Sequence, residues 1–236
     1  MSGIDFDAFD VLTFDCYGTL IDWETGILAG LRSVLDPHAV RAADDDLLGR
    51  FARHEAALEA GPYLRYRDVL ARALRGIADE YGVQATDDEA DAFGGSVGEW
   101  PAFPDSADAL TRLGRRYGLG VITNCDDDLF AASNRRLGVT FDWVVTAQQV
   151  RRYKPHVRAF EAAFQEIGLP PKRILHVAQS LFHDHVPAKA LGLTTVWVDR
   201  RRGRTGPGAT PPASAQPDLT VPDLATLADL AGPAAG

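Results

Sequence analysis

The chain has 236 residues, 46% of them apolar and 24% charged, with 33 acidic against 24 basic side chains and a formal net charge of −9. This composition excludes wholesale disorder, and the acidic balance excludes general nucleic-acid binding, which rests on Lys and Arg neutralising phosphates. No apolar run reaches the roughly 18 residues of a membrane span, the acidic segment Met1–Phe9 is unlike a signal peptide, and Cys16 and Cys125 predict two reduced thiols in a cytoplasmic protein.

Residues 11–14 (Val-Leu-Thr-Phe) form a short run of β-formers that ends at Asp15 and breaks at Gly18-Thr19. From 22 to 100 the spacing is helical: Leu28, Leu31, Val34 and Leu35, then Leu47, Leu48, Phe51 and Leu58, then Val69, Leu70, Ala73, Leu74 and Ile77. No convincing strand lies there. A Pro-punctuated link, 100–104, follows. Beyond it, predicted helices at 106–117, 127–137, 157–167 and 187–191 alternate with strands at 120–123, 143–145, 174–178 and 195–198. Such alternation predicts parallel βαβ units. The stretch 200–217, rich in Gly, Pro, Ala and Arg, predicts a mobile, solvated loop rather than a polyanion patch. A closing helix spans 224–230. The organisation is an α/β core, residues 1–21 and 101–236, with a helical insertion at 22–100.

In open α/β sheets, ligands sit outside the carboxyl ends of the strands. Those ends deliver Asp15 through Thr19, then Thr123 and Asn124, then Lys154, and finally Gln179 with Asp184. One such acid is commonly a cap or turn residue. An acid, an amide, a lysine and a second acid in this order are hard to explain as caps.

Asp15-Cys16-Tyr17-Gly18-Thr19-Leu20, Thr123-Asn124, Lys154-Pro155 and the 179–184 segment resemble the four ordered motifs of the haloacid dehalogenase superfamily, over nearly the whole chain. The resemblance implies a Rossmann-like, doubly wound parallel sheet with an inserted helical cap domain. Magnesium-dependent phosphatases of that superfamily have an Asp where this chain has Tyr17, and a metal-binding Asp where it has Gln179. A phenol is a poor proton shuttle near neutral pH, and magnesium prefers carboxylate oxygens. Both departures resemble the branch that hydrolyses (S)-2-haloacids without metal or other cofactor. A halide leaves as an anion needing no proton, and the carbon it leaves carries no phosphate charge.

The resemblance then implies that Asp15 displaces halide to form an aspartyl ester. Asp184 activates the hydrolytic water, Lys154 keeps Asp15 ionised, and Thr19 orients it. Thr123, Asn124, Gln179 and the N–H groups of Cys16 and Tyr17 bind substrate carboxylate or halide. A cap arginine is expected to meet the ligand, Arg50 before Arg53, Arg65 and Arg67. Tyr63 and Tyr66 either line the apolar side or pack cap on core. Leu181 stands where the family has Asn and offers no hydrogen bond. His183-Asp184-His185 as a metal site and Cys16 with Cys125 as a redox pair are weaker readings. The expected partners are haloacid, water and halide, with a homodimer as the family expectation. The alternatives are a magnesium-dependent phosphatase and a non-catalytic binder of small anions.

Overall fold

The computed structural model describes residues 3–204, 206 and 208–232. Strands β1 (Val11–Phe14), β2 (Gly118–Thr123), β3 (Trp143–Thr146), β4 (Ile174–Ala178), β5 (Thr194–Val198) and β6 (Leu219–Val221) form one sheet. All pairings are parallel, in the order β3-β2-β1-β4-β5-β6. This is the doubly wound order, and its chain reversal beside β1 is where such sheets bind ligands. Every residue of β1 and β4 is buried, as expected of parallel strands covered on both faces. Leu12 and Phe14 pack with α5 (Ser106–Leu113), α6 (Asp127–Leu137) and α10 (Leu224–Ala231). Val11 points the other way, to α8 (Arg158–Ile167) and α9 (Val186–Ala190). A short helix α7 (Ala147–Val150) follows β3.

The predicted strands are all present, most lengthened by a residue or two, and β6 is additional. It is an edge strand of only three residues, too short to show a periodicity. The helix expected at 106–117 ends at Leu113, where Gly114 begins a run of turns.

The 22–100 region is helical throughout, as α1 (Trp23–Leu35), α2 (Asp44–Glu59), α3 (Tyr66–Glu80) and α4 (Asp87–Gly95). Asp22 caps α1, and a Thr86–Glu89 capping box opens α4. Gly26 and Gly30 let α1 lie directly on Trp100 and Phe93. A Cβ at either position would fall 2.3 Å or 2.2 Å from those rings. Along α2 the buried positions are Leu47, Leu48, Phe51, Ala52 and Glu55. Phe51 meets Trp23 and Phe93 edge-on, with centroids 6.2 and 6.4 Å apart.

The arginine segment after β5 departs from the solvated loop that its composition predicts. Arg200 donates to both carboxylate oxygens of Asp105 and to the Thr19 carbonyl, and lies over the Phe103 ring. Arg201 pairs with Glu24 and Asp45. Acids contributed by α1, α2 and the start of α5 are distant in sequence, so composition alone could not show that these arginines would be docked. Thr205 and Pro207 of that expected loop, and residues 1–2 and 233–236 of the expected core, lie outside the described residues. Among the described residues, no helix is long and apolar enough to cross a membrane.

Candidate active site

Four loops at the carboxyl ends of β1–β4 meet beneath α2 and α3. After β1, the Asp15 N–H donates to Val177 on β4, and the Cys16 carbonyl accepts from Leu20 and Ile21 at 2.7 and 3.0 Å. This tight turn needs Gly18, whose φ is +94° and whose missing Cβ would lie 2.9 Å from Trp23 Nε1. The turn brings Thr19 back on Asp15: its hydroxyl donates to Asp15 Oδ2 at 2.7 Å and accepts from the Gln179 N–H at 2.9 Å.

Lys154 is placed by Asn124. The Asn124 amide accepts from the Lys154 N–H at 2.7 Å and donates to the Lys154 carbonyl at 3.1 Å. The ammonium then donates to Asp15 Oδ1 at 2.8 Å, Asp184 Oδ1 at 2.6 Å and the Ile122 carbonyl at 2.8 Å. Its three protons are therefore all used. Asp184 stands on a π-helical turn (Leu181–His185) after β4, capped by Ser180. Its Oδ1 also meets His176 Nε2 at 3.1 Å, and His176 Nδ1 meets the Thr13 hydroxyl at 3.0 Å. Among the described residues, Asp184 Oδ2 has no hydrogen-bond partner.

The electrostatics separate the two aspartates. Burial pushes Asp15 above the usual carboxylate range, Lys154 opposes that shift, and the Asp184 charge adds to it. Burial also works against ionised Asp184, but Lys154 and His176 outweigh it and hold that carboxyl well below the usual range. Lys154, penalised by burial but flanked by two carboxylates, is raised.

The roof comes from α2 and α3. Glu55 is 2% exposed, and among the described residues it pairs with no cation: its Oε1 accepts from the Tyr66 hydroxyl at 2.8 Å, and its Oε2 is unpartnered. Burial pushes Glu55 up to about 8. Glu59, one turn on, is pushed well up by burial and by Glu55, against the pull of Lys154. Its Oε2 lies 3.8 Å from His183 Nε2, and burial lowers that imidazole to about 4. Together with Trp23, these groups enclose about 20 Å³ above Asp15, room for roughly one water molecule. Glu59 and Lys154 also border an open groove of about 610 Å³.

A family profile described as haloacid dehalogenase-like hydrolase matches residues 9–191. The chain belongs to this family. An (S)-2-haloacid dehalogenase of Pseudomonas putida is 25% identical over 229 residues, covering 92% of this chain and 94% of that protein. The Escherichia coli phosphatase YigB, named for 5-amino-6-(5-phospho-D-ribitylamino)uracil, is 29% identical over 208 residues, covering 81% and 84%. An L-2-haloacid dehalogenase structure from Xanthobacter autotrophicus, with chloropropionic acid covalently bound, superposes with a TM-score of 0.76 at 21% identity, covering 94% of this chain and 98% of that one. This structural likeness shows the fold, a parallel α/β sheet flanked by helices.

Of the residues expected at the site, Asp15, Thr19, Lys154 and Asp184 are brought into one hydrogen-bonded cluster. Tyr17 and Asn124 line the cavity, but their polar groups are engaged: the Tyr17 hydroxyl with Ser133 at 3.0 Å, and the Asn124 amide with Lys154 and Glu59. Cys16 and Thr123 are buried outside the lining. Among the described residues, no hydrogen bond is made by the N–H of Cys16 or Tyr17.

Several expected placements differ in the structure. Arg50 does not reach the cavity. It pairs with Asp46 and Glu80 and lies over Tyr81. Five residues turn an α-helix by about 140°, so Arg50 and Glu55 cannot share a face. Arg53 also turns to Glu80, while Arg65 and Arg67 pair with Asp126 and Asp128 at the start of α6. The Gln179 side chain sits in a neighbouring cleft with Leu181 and Trp197, and only its backbone reaches the site, through Thr19. Leu181 therefore faces that cleft rather than Asp15. Tyr63 stacks on Tyr153, with centroids 5.6 Å apart, whereas Tyr66 lines the cavity. Cys16 and Cys125 are free and buried, and burial raises both thiols, which disfavours redox reactivity. Among the described residues, no three His, Cys, Asp or Glu side chains are grouped to hold a metal ion.

The sequence reading missed Glu55 and Glu59 as lining groups, along with Trp23, Ser180, His183 and the supporting His176. The signal for the glutamates was present: Leu48, Phe51, Glu55 and Glu59 follow the three-to-four spacing of one helical face.

Proposed function

We propose that this hydrolase cleaves the carbon–halogen bond of a short (S)-2-haloacid through an ester on Asp15. The observation that carries the reading is the environment of Asp15. Its carboxylate is fixed by Thr19 and Lys154, while position 17 offers a phenol bonded to Ser133 in place of a proton-donating acid. Burial and the neighbouring thiols raise that phenol further, which suits it poorly to proton transfer. Ionised Asp15 attacks the carbon bearing halogen, the carbon–halogen bond breaks, and halide leaves with its electron pair. Water then attacks the ester carbonyl. Its proton passes to Asp184 Oδ2 and on to the departing product oxygen, giving the 2-hydroxy acid and free Asp15. The unpaired N–H groups of Cys16 and Tyr17 supply donors for the substrate carboxylate. Residues 22–100 act as a cap that must open, because the space above Asp15 holds about one water molecule.

The likeness to YigB favours a second reading, a magnesium-dependent phosphatase. Halide release from (S)-2-chloropropionate in the presence of chelator, absent in Asp15→Asn, supports the first reading. Metal-dependent release of phosphate from p-nitrophenyl phosphate, without halide release, supports the second. Ligand binding without turnover of either substrate would indicate a non-catalytic binder.

A further inference from the structure

The departing halide needs a donor, and the cavity has few to spare. Lys154 spends its three protons on Asp15, Asp184 and the Ile122 carbonyl. The Asn124 and Tyr17 donors are engaged, and the Tyr66 hydroxyl donates to Glu55 Oε1. Among the described residues, no arginine lines the space above Asp15. Among the lining groups of the described residues, Glu55 Oε2, His183 Nε2 and Asp184 Oδ2 are left unpartnered. Asp184 is held ionised beside Lys154 and His183 Nε2 faces Glu59, which leaves Glu55.

We propose that Glu55 works in its protonated form, as a catalytic hydrogen-bond donor whose Oε2–H meets the halide as it leaves. This rests on the carbon–halogen reading above. An ionised, unpaired carboxylate buried from water is costly, and such groups stay neutral instead. Tyr66 occupies Oε1, so the proton belongs on Oε2, the free atom. The charged groups around Glu55 favour the same state. Asp15, Lys154 and Asp184 leave one net negative charge below it, Glu59 lies one turn along its own helix, and His183 faces Glu59 from the β4 loop. Ionising both glutamates would place three net negative charges where an anionic substrate must bind. Kept neutral, they leave the cavity able to accept it. A carboxylic acid held protonated by an apolar site so that it can donate to a developing anion is an established catalytic device. Here no proton is transferred: Asp15 forms the C–O bond, the carbon–halogen bond breaks, and the halide departs hydrogen-bonded to Oε2–H.

The test is chloride release from (S)-2-chloropropionate between pH 6 and 10 by wild type, Glu55→Gln and Glu55→Leu, with folding checked by circular dichroism. Wild type loses activity above about pH 8 as Glu55 ionises. Glu55→Gln is several-fold slower at neutral pH, because an amide is the weaker donor, but it loses the alkaline fall. Glu55→Leu is slower by roughly 100-fold at every pH. Carbon-13 NMR of labelled glutamate carboxyls follows the Glu55 titration without turnover. An alkaline limb that survives in Glu55→Gln, full activity in folded Glu55→Leu, or an NMR titration near pH 4 overturns the proposal. Wild type that releases no halide removes the carbon–halogen reading itself, a result separate from any behaviour of the variants.

Discussion

The floor and the roof of the cavity are built on opposite principles. On the floor, one ammonium is shared between two carboxylates, 2.8 and 2.6 Å away, at the ends of parallel strands. In the roof, two carboxyls stand one turn apart on a helix with no cation between them. Pairing with Lys154 favours the charged form on the floor and burial favours the neutral form in the roof, so identical chemical groups meet opposite influences.

Substitutions on the floor should show the largest effects. Asp15→Asn removes the proposed nucleophile and should lower halide release by about a thousand-fold or more. Lys154→Met takes the shared ammonium from two buried carboxylates, leaving Asp15 with Thr19 and Asp184 with His176. It should cost about 3–5 kcal/mol in denaturant unfolding and nearly abolish turnover. Because Asp15 is raised and must be ionised to attack, activity should fall on acidification at a higher pH than a solvated aspartate, near 4, would give. A pH profile of kcat/KM measures this limb.

The roof responds in the opposite direction. Burial lifts Glu55 to about 8 in the folded chain, against 4.5 for a solvated glutamate. The unfolded chain therefore binds fewer protons between these values, and stability falls as pH rises from about 4.5 to about 8. Glu55→Gln should remove this decline, several kcal/mol in all, as read from urea midpoints across that range. Asn124→Ala loosens the clasp on Lys154 and should slow turnover by about tenfold, equivalent to one or two hydrogen bonds. Arg50→Ala should change KM by less than about twofold and stability by under about 1 kcal/mol, since its pairs are partly exposed. An arginine that met the substrate would raise KM far more.

The same contrast explains what was legible in the sequence. Strand ends announce themselves by short β-forming runs and sharp breaks, so strand order brought Asp15, Thr19, Lys154 and Asp184 to one edge, and the family resemblance supplied their expected roles. The parallel sheet followed from alternation, except for the three-residue edge strand. The roof depends on which way a helix faces. Arg50 looked right by charge, but its face carries Asp46 and meets Glu80 and Tyr81. Glu55 and Glu59 continued an apolar stripe, where acids are easily taken for its solvated end. Gln179 failed for a different reason: a residue beside a catalytic loop can lend only its N–H while its side chain turns into the next cleft.

The central claim is that Asp15 forms a covalent bond to substrate carbon. A single turnover of (S)-2-chloropropionate in oxygen-18 water, with enzyme in excess, tests it by mass spectrometry of the peptide carrying Asp15. The mechanism predicts heavy oxygen in the Asp15 carboxylate and an unlabelled 2-hydroxy acid. Heavy oxygen in the product, with Asp15 unlabelled, would contradict it.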